Sequence, residues 1–571
     1  MILHRSTRLF ALLLVLTSFS GALQADDAAI PGAGTWISVL PPLFAIFIAL
    51  LFRQVIPALF ASVVLGAWAI HGFSLAGLWS GLLDSFQVHI LNSFADANHG
   101  AVILFSFMIG GMVGIITRNG GMLGVVNLIV TWADSARRAC LATATMGLAV
   151  FFDDYANTLV VGNTMRSVTD SMKISRAKLA YIVDSTAAPV ACIALVTTWI
   201  GYEVGLIGDA TASLPGLNIE PYLLFLSSIP YSFYPIMTIL FVFMVANSGK
   251  DFGPMLKAER RALMDEGNPS GHLDSSADSD GESIEAIKGK PQRAINAILP
   301  IVVLVTGVMG GLYATGIGNL EMADPGIKDI IGAADSYRAL MWGSLLGMLC
   351  AAFLSMVQRI MSMEEIVNSW YQGMRSMLYA MIILILAWAL GGISKELETA
   401  NFLVSVLGDN LPVQLVPALV FVLAAGTAFA TGSSWGAMGI LVPLVIPLTW
   451  AVMEASAMQT PDDMHILYSS IACVLAGSVW GDHCSPISDT TILSSMSSGC
   501  DHIEHVRTQM PYALLVGFVA IGTCTIPVAY GMPWWIGLVV GVSLLYLVLN
   551  LKGVSASDSL KPATNGPSTS R

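Results

Sequence analysis

Two Asp, one His, two Ser, two Thr and a Pro stand together in Trp480-Gly481-Asp482-His483-Cys484-Ser485-Pro486-Ile487-Ser488-Asp489-Thr490-Thr491, within a chain that is otherwise apolar. The apolar run Tyr468 to Val479 leads into this cluster. A carboxylate at membrane depth costs several kcal/mol unless compensated, and such residues typically line an ion or substrate path. Pro486 removes a backbone donor and opens the helix. The carbonyls freed by that opening are good ligands for a small hard cation. The cluster therefore reads as an ion site in a broken transmembrane helix, with Asp482, His483, Ser485, Ser488 and Asp489 as its polar groups. His483 has a side chain that titrates near neutral pH when unperturbed, so it is read as a proton relay or as a buried structural His. Asp489 follows Asp482 by seven residues, close to two helical turns, which predicts a shared face.

Two further clusters have the same character. Phe152-Asp153-Asp154-Tyr155-Ala156-Asn157-Thr158 lies between apolar flanks and holds no Lys or Arg. Asp153, Asp154 and Asn157 are oxygen ligands that also tolerate the geometry of a hairpin tip. Asp184-Ser185-Thr186-Ala187-Ala188-Pro189 sits early in an apolar span, with Pro189 as the expected break. Its Asp184, Ser185 and Thr186 echo Asp482-His483-Cys484-Ser485-Pro486. A fourth stretch, Thr431-Gly432-Ser433-Ser434-Trp435-Gly436, is uncharged but rich in hydroxyls, and reads equally as a binding tip (Thr431, Ser433, Ser434) or as helix packing. If Asp184 and Asp482 meet near the midplane, one Na+ bridges them and competes with a proton; the bland alternative is two carboxylates held by backbone donors as braces. Glu203 is placed at the outer end of its span as a vestibule or interfacial group. His502, Glu504, His505 and Arg507 read as a solvated charged patch on the inside surface.

The elements that must position these residues follow from composition. The chain has 571 residues, 55% of them hydrophobic and 11% charged, with a mean hydropathy of +0.73. Soluble domains carry about 25% charged residues, so this is a polytopic membrane protein embedded in a lipid bilayer. No basic face is available for nucleic acid. The seven Cys are scattered singly, which is neither a disulfide framework nor a metal spacing. No cofactor is expected. Residues 1–25 read as a secretory signal, with His4, Arg5 and Arg8 before a short apolar core and Leu23-Gln24-Ala25 at the cleavage site.

Apolar spans are expected at 36–52, 54–71, 101–117, 179–206, 222–247, 294–316, 338–357, 376–393, 511–529 and 532–551. Interrupted ones are expected at 139–171, 415–453 and 467–495. A polar segment, 248–293, with seven Lys/Arg and a Ser/Asp/Gly-rich centre reads as a cytoplasmic linker between two repeats, 36–247 and 294–530. The span 532–551 has no counterpart, and 552–571 forms a tail. With the mature N-terminus outside and the C-terminus inside, 21 of the 26 Lys/Arg fall inside. The exceptions are Arg5, Arg8, Lys328, Arg338 and Lys395, an asymmetry that matches the positive-inside rule. The two halves then repeat upside down, each with a re-entrant hairpin and a broken helix, a pattern that points to alternating access. An intramembrane aspartyl protease is disfavoured, because Val479 stands where a Gly-x-Gly-Asp motif needs Gly, and a channel is disfavoured by the inverted breaks.

These strings carry a family likeness. Gly481-Asp482-His483-Cys484-Ser485-Pro486-Ile487-Ser488-Asp489-Thr490-Thr491 resembles the signature of the NhaC family of sodium/proton antiporters, in the ion-transporter superfamily. Phe152 to Thr158 and Val183 to Pro189 are similar to that family as well, and the likeness spans roughly 36–530. It implies a scaffold, a mobile region with two re-entrant hairpins, a homodimer, and exchange of Na+ (or Li+) for H+ across the bacterial inner membrane. It also implies Asp153, Asp154, Asn157, Asp184, Asp482, Ser485 and Asp489 as ion-path residues. The family also resembles carriers of amino and organic acids, so a sodium- or proton-coupled carrier of an amino acid or small carboxylate is the second expectation.

Overall fold

The computed structural model describes residues 30–557, apart from 53, 213, 215, 218, 265–285, 288, 321–325, 327–329, 331 and 408–411. The expected leader 1–25, the centre of the polar segment, Lys328 and the chain beyond 557 lie outside the described residues. Among the described residues, nine helices are long and apolar enough to cross a bilayer, or ten if one bent pair counts as a span. The chain is an all-α polytopic membrane protein. Its sheet content among the described residues is one antiparallel pair, Lys250–Asp251 with Val554–Ser555. The final helix, Trp534–Lys552, leaves Trp535, Val539, Tyr546 and Leu551 exposed, as a helix against lipid does.

Each half holds a helix hairpin followed by an interrupted helix. The first hairpin is Ala136–Ala149 and Asp154–Ser171; the helix after it runs Arg176–Ser185, Ala188–Ala191 and Ile200–Thr211. The second hairpin is Val416–Thr431 and Ser434–Ala455; the helix after it runs Met464–Cys484 and Asp489–Ser498. The halves meet where helix Ala97–Arg118 crosses helix Met363–Glu396. A side-chain carbon on Gly114 would stand 3.0 Å from the Cα of Gly373, so only small residues allow this approach.

Three spans differ from expectation. Residues 222–247 form two helices, Pro221–Tyr231 and Phe233–Ser248, bent by 49°. Pro230 and Pro235 bracket the bend at Ser232, and neither can donate a backbone bond. The span expected at 376–393 belongs to a 34-residue helix, Met363–Glu396. Its early start is fixed by a capping box in which Ser362 and Glu365 satisfy one another's backbone donors. The interruption expected at Pro189 lies elsewhere: Thr186 and Ala187 break the helix first, and Pro189 opens the short helix that follows, a position where its missing N–H costs nothing. A second irregular run, 192–199, follows.

The polar segment 248–293 is not a linker along its whole length. Helix Gly253–Leu263 packs on helices Arg176–Ser185 and His502–Val519. Lys178 Nζ reaches Asp251 Oδ2 at 2.7 Å and Glu259 Oε2 at 3.5 Å, all three buried, and Tyr512 donates to Asp251 at 2.9 Å. Composition averaged over the segment hides this ordered start, because its fixing contacts come from residues far away in sequence.

Candidate functional site

The first hairpin turns at Val150 to Asp153. Asp153 caps the second arm by accepting from Ala156 N at 2.7 Å, which is why the helix restarts at Asp154. Asn157 points back into the turn: its Nδ2 donates to the carbonyls of Gly147 at 2.7 Å and Thr186 at 2.9 Å. It thereby ties the hairpin to the first helix break. Asp154 Oδ1 accepts from Trp199 Nε1 at 3.0 Å, and Tyr155 donates to Asp489 Oδ2. Its polar residues Asp153, Asp154, Asn157 and Thr158 are all buried, so it is no solvated turn.

The second hairpin turns at Gly432, whose φ of +70° suits glycine. Ser433 caps the following arm through Gly436 N at 3.2 Å, Thr431 bonds back to Thr427 O, and Ser434 is buried. The tip lies against the second break, where Ser485 donates to Phe429 O at 2.7 Å. That break is formed as the sequence implies. Ser485, preceding Pro486, is extended, and Ser488 caps the restarted helix through Thr491 N. A side-chain carbon on Gly432 would stand 2.5 Å from the Ile487 carbonyl oxygen. Gly432→Ala is therefore expected to lower stability by roughly 1–3 kcal/mol through backbone strain and to displace the tip from the break. Thermal unfolding in detergent checks this, and an unchanged midpoint counts against it.

The structure assigns Asp184 and Asp482 different surroundings. Asp184 receives Gln509 Nε2 at 2.5 Å, Ser494 Oγ at 3.1 Å, and Thr491 Oγ1 and His505 Nε2 at 3.3 Å each. Its oxygens are surrounded by side-chain donors rather than the backbone donors that a brace was expected to use. Asp482 accepts from Thr490 Oγ1 at 2.7 Å through Oδ2, while Oδ1 has no partner. The two carboxyls belong to one cluster, since Thr491 Oγ1 also lies 3.5 Å from the Asp482 carbonyl. His483 is wedged between Tyr234 (2.6 Å from Nδ1) and Ser185 (3.0 Å from Nε2), with Gln509 donating to its carbonyl at 2.7 Å. The helical face expected for Asp482 and Asp489 is not formed. The break intervenes, and Asp489 turns to Tyr155 while Asp482 turns to Thr490, whose hydroxyl also meets Ser488.

Three buried oxygens at the tips and breaks have no hydrogen-bond partner: Asp154 Oδ2, Asn157 Oδ1 and Asp482 Oδ1. Buried polar atoms are nearly always paired, so these three oxygens keep acceptor capacity that a cation or a proton could use. Among the described residues, no Lys or Arg is ion-paired to Asp153, Asp154, Asp184, Asp482 or Asp489, and no three His, Cys, Asp or Glu side chains converge to hold a metal ion. A hard cation here would draw on carboxyl, carbonyl and hydroxyl oxygens together.

The structure adds His505 and Gln509 to the site. His505, expected on a solvated face, is fully buried against Asp184, while its neighbour Glu504 pairs with Arg261 at the surface. The i, i+4 spacing of His505 and Gln509, continued by Ala513, is the signal that marks an inward stripe. Glu203 is fully buried, not at a vestibule.

A bundle of membrane helices in which two hairpin tips meet two helix breaks around buried carboxyls defines a secondary transporter. Comparison with known proteins makes this specific. The pattern of the Na+/H+ antiporter family matches residues 190–526, and the chain belongs to that family. An uncharacterized protein of Haemophilus influenzae is 33% identical over 495 residues, 85% of this chain and 90% of the relative. The malate-2H(+)/Na(+)-lactate antiporter of Bacillus subtilis is 29% identical over 138 residues, 21% of this chain and 27% of that protein. The crystal structure of the Alcanivorax borkumensis YdaH transporter aligns over 80% of this chain and 90% of its own, with a TM-score of 0.52 and 14% identity, a likeness of fold.

Proposed function

We propose that the protein exchanges Na+ (or Li+) for H+ across the bacterial inner membrane by alternating access. The observation that carries this reading is the set of unpaired buried oxygens on Asp154, Asn157 and Asp482, gathered where two hairpins meet two breaks without a Lys or Arg to neutralise them. A proton or a small cation neutralises such a site, and each excludes the other. Asp184, His483, Ser185 and Gln509 hold the backbone of the second break in place beside it. Asp489, tied to Tyr155, couples the first hairpin to that break. Mature N-terminus outside, C-terminus inside and a homodimeric assembly complete the reading.

A second reading is a sodium- or proton-coupled carrier of a small carboxylate or amino acid. The partial similarity to a malate-2H(+)/Na(+)-lactate antiporter favours keeping it. One experiment separates the two. Purified protein in proteoliposomes with an imposed pH gradient is given alkali cations alone, then cations with a panel of amino and carboxylic acids. Dissipation by sodium or lithium alone supports exchange; dissipation that requires an organic acid supports the carrier; no response to any of them rejects both.

A further inference from the structure

Among the described residues, Glu203 is the carboxyl side chain with both oxygens buried and neither in a hydrogen bond of normal geometry. It stands in the first turn of helix Ile200–Thr211, after the irregular run 192–199. The weak donor thiol of Cys192 is its titratable neighbour. The elements packed against its helix bring His99, Tyr222, Tyr379, Lys395 and Glu454, and none pairs with it. His99 lies 3.5 Å from Asp209, Tyr222 donates to Leu195 O at 2.8 Å, Tyr379 faces Tyr202, and Lys395 and Glu454 line an outer cleft of about 410 Å³. An ionised carboxylate in such a place is uncompensated and costs several kcal/mol, so the side chain is held there as the neutral acid.

The residue is also wired to the site. Its N–H donates to Trp199 O at 3.0 Å, one turn back, and Trp199 Nε1 holds Asp154 Oδ1 at 3.0 Å. The preceding Thr198 N donates to Phe152 O at 2.9 Å, in the first hairpin tip. Movement of that tip therefore pulls on the turn that carries Glu203. On the far side, Tyr202 donates to Trp435 O at 2.5 Å, in the second hairpin.

We propose that Glu203 is a further proton-binding residue of the transport cycle: the acid keeps its proton while enclosed, and gives it to water when hairpin movement opens its surroundings. This rests on the exchange reading and adds to it a proton site distinct from the hairpin and break carboxyls. The test pairs infrared spectroscopy with transport, on wild-type protein and Glu203→Gln in the same liposomes. The expected result is a carboxylic-acid carbonyl band at neutral pH that Glu203→Gln removes, together with an exchange rate lowered roughly tenfold or more at an unchanged unfolding midpoint. Glu203→Asp keeps the acid and moves the band instead, and serves if the Gln variant fails to fold. A band left in place by Glu203→Gln, or wild-type rate and pH profile in that variant, overturns the assignment. Wild-type vesicles indifferent to every cation overturn the exchange reading, and the coupling with it, while the band still reports the proton on Glu203.

Discussion

Asp482→Asn is expected to abolish exchange while leaving a folded, membrane-inserted protein. The side chain is fully buried, its Oδ2 receives Thr490, and its Oδ1 has no hydrogen-bond partner. An Asn carboxamide has the same shape. Its oxygen can accept the Thr490 hydroxyl and its amide can occupy the open side, so the change in stability stays within about 1–2 kcal/mol. What the variant loses is the charge that takes a cation or a proton. Sodium-driven dissipation of a pH gradient is expected to fall by about 10²-fold or more, the scale of losing a residue that transfers the proton. Wild-type exchange by purified Asp482→Asn protein refutes the role.

Asp184→Ala is expected to fail in the opposite way, by unfolding. Gln509, Ser494, Thr491 and His505 all direct donors at Asp184. Removing the acceptor leaves those donors buried without partners, each costing about 1–3 kcal/mol, with a total on the order of 3–5 kcal/mol once the site relaxes. The donors come from helices Asp489–Ser498 and His502–Val519, while Asp184 ends helix Arg176–Ser185. The loss is thus one of adhesion between the two halves, visible as a lowered unfolding midpoint in detergent and poor recovery from the membrane. A wild-type midpoint for Asp184→Ala contradicts the bracing assignment. The contrast between the variants separates a carboxyl with one oxygen unpartnered from one whose two oxygens both receive donors.

The sequence made the polar tips and breaks visible for a simple physical reason. Asp153, Asp154, Asn157, Gly432 and Pro486 interrupt runs too apolar to tolerate them without purpose, and local rules for caps and pre-proline residues place the turns. Helix hairpins over 139–171 and 415–453 and the stop at Cys484 follow directly. Partnerships across the bundle were not legible in the same way. Nothing local says that Trp199 reaches Asp154, that Tyr155 reaches Asp489, or that Lys178 seats Asp251 and Glu259. His505 was misplaced because Glu504 and Arg507 flank it; a helix alternates inside and outside every few residues, and a charged stretch can hide one inward stripe. Glu203 was misplaced because its position near the end of an apolar run says nothing about how much protein packs around it. The bend at Ser232 was missed because hydropathy averages across Pro230 and Pro235.

The most direct measurement counts protons when the cation binds. Sodium chloride is added to purified, weakly buffered protein in detergent, and a pH dye reports what is released, with choline chloride as control and Asp482→Asn beside wild type. One set of oxygens serving both ions predicts proton release from wild type on sodium or lithium, none on choline, and none from Asp482→Asn. Sodium binding without proton release, or equal release from the two proteins, contradicts it.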